Sequence, residues 1–402
     1  MNNIFKTFLL GILTALLFSA FIYFAEYNLT NKLVNTLFGL ASLALFLYIP
    51  KRAIPIAGFF IGLFWFYWIG YSFKYLDVHY MTPIITLAFG FIYLLFFLPL
   101  YFTDKAYIRA LLLFGLSFIE PFDWNWLQIE LIFVQSYIGV YKYQLFTVLL
   151  ALAIPQLMKE NKYKYIPLFL LLVSINYGYP KQEDAPLKIK LASTDIEQRY
   201  KWSREAQIPT IRYIFTEIQK AKAQKYDLIL FPESVFPLYI NKYPNLLNKL
   251  KELSQGIVII AGSLFKENGV SYNVSNMFKD GKYVVAKKLV LVPFGEYIPL
   301  PKFFKKFVND TFFHGESDFS TADAPTDFII KDIKLRNAIC YEATCPELYE
   351  GDVKYMLVMS NNAWFAPSIE PTLQNLLLKY YARKYGVTIY HATNYMGSGI
   401  IK

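Results

Sequence analysis

Residues 226–237 read YDLILFPESVFP. An apolar run of strand length stops at Pro232, and a single carboxylate, Glu233, stands just beyond it. A short apolar run bounded by a turn signal is the pattern of a strand buried on both faces. Comparable runs recur along the chain: LKIKLAS (187–193), IVIIAGS (257–263), KYVVAKKLVLV (282–292), KLRNAIC (334–340), KYMLVMS (354–360) and VTIYHA (387–392). Helical patterns over 203–223, 240–255 and 368–385 fall between them. The alternation predicts a layered α/β domain over residues 187–402, without internal repeats.

Two more polar features close strands as Glu233 does. Lys287 and Lys288 interrupt an otherwise apolar run, and Cys340 ends KLRNAIC. Ligand chemistry in α/β sheets gathers beyond the carboxyl ends of strands. A Glu, a Lys and a Cys meeting there would form a nucleophilic site: the carboxylate takes the thiol proton, and the ammonium steadies the thiolate and a later oxyanion. Each residue also has a plainer reading. Glu233 can cap a helix, one lysine of the pair can face solvent, and Cys340 can form a disulfide with Cys345. A Cys–His pairing is open through His314 or His391, although neither lies in a known motif. No metal-ligand spacing, phosphate loop or nucleic-acid module is present.

Toward the amino terminus the chain changes character. Charged residues are 17% of the 402 and hydrophobic ones 55%, too apolar for a water-soluble protein, and the excess lies in residues 1–178. That composition excludes a disordered chain, a coiled coil and a small disulfide scaffold. Apolar stretches near 7–25, 33–50, 53–73, 82–101, 106–119, 143–158 and 165–178 predict about seven membrane-spanning helices. Lys6, Lys51, Arg52, Lys105, Arg109, Lys159, Lys162 and Lys164 gather at one set of ends, against Lys32, Lys74 and Lys142 at the other. This bias places the amino terminus in the cytoplasm and everything after residue 180 on the opposite face. It also gives the net charge of +10 a source other than nucleic-acid binding. No small-residue cleavage site follows the first stretch, so it reads as an uncleaved span. Residues 120–141, EPFDWNWLQIELIFVQSYIGVY, mix Trp124, Trp126, Phe122 and Tyr137 with acids, as an interfacial aromatic belt does. The polar stretch NYGYPKQEDAP (176–186) leads out of this region, which divides the chain into a membrane domain over 1–178, a linker over 179–186 and the α/β domain over 187–402.

The motifs at the strand ends resemble those of the apolipoprotein N-acyltransferase family, bacterial inner-membrane enzymes with a periplasmic domain of the nitrilase (carbon–nitrogen hydrolase) superfamily. FPESVFP matches the family's Pro-Glu motif at Glu233. KKLVLVPFGEY matches its Lys-x-x-Leu-Val-Pro-Phe-Gly-Glu-Tyr block, which selects Lys288 over Lys287 and adds Glu296. NAICYEATCPE matches its nucleophile motif at Cys340, Tyr341 and Glu342. Lesser matches are Lys201-Trp202, Tyr272-Asn273, and Asn361 with Ala363, Trp364 and Phe365. The resemblance implies an αββα sandwich with Glu233, Lys288 and Cys340 as catalytic residues. Glu296, Tyr341, Glu342, Asn273 and Trp364 would support them, with no cofactor and no metal. It implies a monomer whose partners are a phospholipid donor, typically phosphatidylethanolamine, membrane lipid, and a diacylated lipoprotein acceptor, with no nucleic acid. Acyl transfer would run through a thioester on Cys340, and exclusion of water would favour aminolysis over hydrolysis. An amidase of the same superfamily, tethered to the membrane, and an inactive remnant are the competing readings.

Departures from the family pattern fall near the site. Asn362 stands for Asp and Ala366 for Gly in NNAWFA, Asn375 follows Gln374 where Gln-His is usual, and Met396 stands for Gly. The family pattern continues past this motif with further strands and a last membrane helix, so the expectation is a chain one helix short, either truncated or from a lineage that dispenses with that helix.

Overall fold

In the first 179 residues, helices that are apolar on nearly every face dominate. The structure, a computed structural model, describes residues 3–75, 78–158, 161–293, 295–297 and 319–402, which divide into the units Met1–Tyr179 and Pro180–Lys402. Helix α1 (Asn3–Glu26) buries Thr14, Phe18 and Ile22 yet leaves Leu9, Leu13 and Leu16 exposed. Apolar residues on the outward face suit a helix whose surroundings are hydrocarbon. α2 (Lys32–Tyr48), α3 (Ile54–Phe66), α4 (Met81–Phe97), α5 (Ala106–Leu116) and α6 (Lys142–Ala153) follow, then a 3₁₀ run over Ile166–Leu170 that continues into α7 (Leu171–Ser174). Among the described residues, and with the 3₁₀ turns at their ends, three helical stretches are long and apolar enough to cross a bilayer: Asn3–Glu26, Lys51–Tyr75 and Met81–Phe102. Helix therefore lies in each of the seven apolar stretches, but prolines shorten the last two. Pro155 turns the end of α6 into 3₁₀ helix, and Pro167 does the same before α7.

Two polar features of this unit fold inward. Arg109 is 1% exposed and donates to the carbonyls of Ile49 at 2.7 Å, Leu47 at 3.2 Å and Thr103 at 2.8 Å. It satisfies orphan carbonyls at the end of α2 and at Thr103, past α4, instead of marking a solvated loop. Segment 120–141 is only partly a belt. Phe122 and Tyr137 are exposed, whereas Trp124 and Trp126 are buried against Phe66 and Trp68. The fully buried Glu130 carboxylate lies 2.6 Å from Lys142 Nζ.

The second unit contains two sheets. β1 (Ile189–Leu191), β2 (Leu228–Leu230), β3 (Phe236–Tyr239), β4 (Val258–Glu267), β5 (Val270–Lys279) and β6 (Lys282–Lys287) form one, in the order β1-β2-β4-β5-β6 with β3 beside β4. β7 (Asp327–Ile330), β8 (Ile333–Ile339), β9 (Tyr355–Asn361), β10 (Thr388–Asn394) and β11 (Gly399–Ile401) form the other, in the order β11-β10-β9-β8-β7. Alternation along β2 accounts for the layering. Leu228 and Leu230 point into a core shared with Leu335, Ile339, Leu357 and Met359 of the second sheet. Ile229 and Phe231 point the other way, into a core with Ile214 and Ile218 of a helix over Arg204–Ala223 and Leu250 of one over Pro244–Leu253. A short helix, α8 (Gln198–Lys201), precedes these two, which are α9 and α10. α11 (Glu370–Tyr385) packs on β10 and on the turn that follows β8. The result is an αββα sandwich. Within the stretch read as a linker, Gln182 and Ala185 bond to Val387 and Tyr390, so it is held along β10.

The strand expected over 282–292 ends at Lys287. The amides of Leu289 and Val290 turn to Glu342 Oε2, at 2.7 and 3.2 Å, and a carboxylate replaces the neighbouring strand. β3, β5, β7 and β11 are additional to the strands read from sequence. Among the described residues, three of the four hairpin turns carry positive φ at both central residues: Asn268-Gly269, Asp280-Gly281 and Lys331-Asp332.

Candidate active site

Cys340 sits where β8 breaks into a 3₁₀ turn, Cys340–Thr344, at φ +56°. That left-handed conformation is costly for a residue with a Cβ, and side chains held there cluster at functional sites. Glu233 follows β2 in a turn with Ser234 at φ +47°. This turn lies against Gly262 of β4, where an added Cβ would come within 2.5 Å of the Ser234 amide nitrogen and 2.8 Å of Glu233 Cα. A glycine is what lets the carboxylate approach the sheet.

Lys288 is the first residue past β6, and its amide still bonds Asn273 O at 2.9 Å. Strand alternation separates the two neighbouring lysines. Lys287 pairs with Glu267 at 2.7 Å on the outer side, while Lys288 is 1% exposed and its Nζ lies 2.7 Å from Glu296 Oε2. That contact is out of line for a hydrogen bond, and no acceptor among the described residues meets the ammonium in bonding geometry. Asn273 joins the two carboxylates: its Nδ2 donates to Glu233 Oε1 at 2.7 Å and to Glu296 Oε1 at 3.2 Å. Glu296 Oε2 also accepts from the amide of Val292 at 2.9 Å. Glu233, Asn273, Glu296 and Lys288 thus form one contact chain, and Cys340 feels the charges of Glu233, Lys288 and Glu296.

Glu342 acts on the scaffold around this group. It is 1% exposed and accepts from Ile339 at 2.6 Å as well as from Leu289 and Val290, so it ties the Cys340 turn to the segment after Lys288. Tyr341 is buried, and its carbonyl accepts from Thr344 Oγ1 at 2.7 Å. Trp364 is half-buried in the 3₁₀ turn Asn362–Phe365 after β9.

The electrostatics follow from burial. Burial and the nearby Glu233 push the Cys340 thiol well above its usual range, with Lys288 opposing them, so the resting group is a thiol that needs a base. Burial alone would lower the Lys288 ammonium. The carboxylates of Glu296 and Glu233, with Cys340 and Glu342, outweigh it and hold this group charged. Burial raises Glu342 to about 7, against Lys288 and its three amide donors.

Three site-wall residues stand apart from the strand-end group. Lys201 is buried and donates to Glu233 O at 3.0 Å; burial lowers it to about 7, against Glu233 and Cys340. Gln374 is fully buried, and its Nε2 points at Cys340 Sγ, 3.8 Å away. Glu370 lies one turn earlier on α11, 1% exposed, and burial and Glu233 raise its carboxyl far above the usual range. Lys201 and Gln374 entered the sequence reading only through motif comparison, and Glu370 did not enter it. The available signal was spacing, because polar residues at 370 and 374 share the inward face that carries Leu373 and Leu377.

The alternatives for Cys340 separate cleanly. Cys340 and Cys345 are both free thiols. His391 is fully buried, with its nitrogens 3.1 Å from Asn375 Oδ1 and 2.9 Å from Ser360 Oγ, and burial lowers it to about 3. Both ring positions are therefore occupied away from the thiol. His314 lies outside the described residues. Among the described residues no three His, Cys, Asp or Glu side chains converge on a metal position.

Known proteins share both halves of this arrangement. Residues 5–177 match the family described as the apolipoprotein N-acyltransferase integral membrane domain, and residues 190–397 match carbon–nitrogen hydrolase. The apolipoprotein N-acyltransferase of Wolinella succinogenes is 42% identical over 98% of this chain and 96% of its own length. Those of Helicobacter hepaticus and Helicobacter pylori are 40% and 37% identical, over 92% and 94% of this chain and 94% and 90% of their own lengths.

Proposed function

The chain belongs to the apolipoprotein N-acyltransferase family, and from that premise we propose that it transfers an acyl chain from a membrane phospholipid to the α-amine of a diacylglyceryl-cysteine lipoprotein, through a thioester on Cys340. The observation that carries the mechanism is the chain of contacts from Glu233 through Asn273 and Glu296 to Lys288 around a protonated thiol. Glu233 takes the thiol proton as sulfur attacks the ester carbonyl. The unspent donors of Lys288 receive the oxyanion. Collapse expels the lysophospholipid, whose alkoxide recovers the proton from Glu233, and the acyl group stays on Cys340. The acceptor amine then attacks the thioester, Glu233 takes a proton from its nitrogen, and the departing thiolate is reprotonated. Exchange of a thioester for an amide drives the second half forward. Asn273 and Glu296 hold the acid–base pair in register, and Glu342 holds the turn that carries the nucleophile.

The protein is a bacterial membrane protein. In our reading about seven spans anchor it in the inner membrane with the amino terminus in the cytoplasm and Glu233, Lys288 and Cys340 in the periplasm. It works as a monomer, with phosphatidylethanolamine as donor. Membranes containing the full chain, given labelled phospholipid and a diacylated lipopeptide, should yield triacylated peptide, and Cys340→Ser should abolish it. Labelled free acid without triacylated peptide would point to attack by water and overturn the acyltransferase reading; activity that survives Cys340→Ser would overturn the thioester.

A further inference from the structure

α11 turns two polar side chains toward the nucleophile. Gln374 reaches the Cys340 sulfur, and Glu370 lies four residues before it, one turn along the same helical face. Glu370 is 1% exposed, and its Oε2 meets no hydrogen-bond donor. No cation among the described residues pairs with it; Glu233 acts on it electrostatically, and it acts in turn on the Cys340 thiol. Buried carboxyl oxygens are rarely left without a donor, and one left so next to a nucleophile calls for an account, of which a catalytic role is one. Carboxylate–amide contacts already occupy Glu233, Glu296 and Glu342. Among the described residues, Glu370 is a buried carboxyl within electrostatic reach of the thiol that the acyl-transfer steps leave unused.

We propose that Glu370 is the acceptor-amine site: its free oxygen accepts one N–H of the incoming primary amine and aims the nitrogen lone pair at the Cys340 thioester. A second N–H of that amine then faces Glu233, which removes the proton as the C–N bond forms and the C–S bond breaks. Glu370 neither gains nor loses a proton. It acts through a carbonyl-type acceptor, consistent with burial keeping the carboxyl protonated. The inference rests on the acyltransfer reading and concerns only its second half.

The test separates the two halves in single turnovers of the full chain in detergent, with phosphatidylethanolamine as donor and a synthetic diacylated lipopeptide as acceptor. Acyl-Cys340 is counted by mass before the peptide is added, and triacylated product afterwards. Glu370→Met should form the thioester at the unmodified rate and pass it to the amine about tenfold or more slowly, the scale of one lost hydrogen bond to a reacting group. Glu370→Gln, which keeps a neutral carbonyl oxygen, should stay within about threefold in both halves. Should Glu370→Met fail to fold, Glu370→Asp withdraws the same group by one methylene and should likewise slow aminolysis alone. Equal losses in both halves, an unchanged aminolysis rate, or a Glu370→Gln defect as deep as that of Glu370→Met would each overturn the proposal. Failure of the unmodified chain to form acyl-Cys340 would instead overturn the thioester mechanism beneath it.

Discussion

Both units bury cations, and they use them in opposite ways. Arg109 in the amino-terminal unit directs its guanidinium at backbone carbonyls that would otherwise lack donors, and Lys142 neutralises Glu130. Lys288 in the second unit stands beside a carboxylate with its donors unspent. A buried cation whose bonds are all made is a clamp. One held charged by surrounding carboxylates while its hydrogen-bond directions stay open is prepared for a negative charge that arrives later. The contrast also explains why a count of charges from sequence blurs the two: Arg109 was read as a topology signal, Lys287 and Lys288 as an undivided pair.

The largest effects should divide along that line. Lys288→Met should lower the rate of thioester formation by about 10³-fold, the scale of a lost oxyanion contact, with only the smaller fall in melting that leaving Glu296 without its cation brings. Arg109→Met should do the reverse. It strands the carbonyls of Ile49, Leu47 and Thr103, each costing about 1–3 kcal/mol, so melting falls sharply while the rate per folded molecule holds. If Lys288→Met melted as low as Arg109→Met, the distinction between clamp and reserve would collapse. Next in size is Glu342→Gln. An amide group would face N–H donors from Ile339, Leu289 and Val290, so both stability and thioester formation should fall.

A pH series sharpens the comparison through Lys201. Its pKa in the fold, about 7, lies below the ordinary 10.5. Above 10.5 neither folded nor unfolded chain binds the proton, and the group has no effect. As pH falls from 10.5 toward 7, the unfolded chain takes up a proton that the fold resists, so stability drops by up to about 1.4 kcal/mol per pH unit. Below about 7 both states are protonated and the penalty is constant. The unmodified chain should therefore gain stability relative to Lys201→Met as pH rises from 7 to 10. Parallel melting curves over that range would show that the buried amine carries no such penalty.

Much of the second unit was legible because both faces of its central strands are apolar. YDLILF and IVIIAGS could only be buried between layers, and chemistry at their ends followed. The family motifs then separated Lys288 from Lys287, a distinction that strand alternation alone leaves open. β5 was missed because Ser271, Asn273, Ser275 and Asn276 give it the polarity of a loop, and it carries the asparagine that joins Glu233 to Glu296. The Asn268-Gly269 and Asp280-Gly281 turns on either side of it were the readable sign. In the first unit, composition announced a membrane domain. It gave no warning that Trp124 and Trp126 would turn inward, because burial there depends on Trp68 and Phe66, far away in sequence.

The smallest effect tests whether the walls of the site help the thiol directly. Gln374 donates toward Cys340 Sγ at 3.8 Å, a weak contact because sulfur is a diffuse acceptor, and its Oε1 accepts from Asn362 at 3.2 Å. Gln374→Leu removes both bonds, yet Asn362 retains the carbonyl of Met396 at 3.0 Å, so the loop should hold and melting should change little. The contact strengthens as sulfur gains charge, and sulfur also departs as thiolate during aminolysis, so its loss should slow both halves by about threefold to tenfold. Gln374→Glu distinguishes electrostatics from packing. A carboxylate of the same shape would add to the Glu233 field that already holds the thiol proton, so it should be slower than Gln374→Leu. If the two variants were equally slow, the amide would be filling space and Lys288 alone would answer for the charge on sulfur.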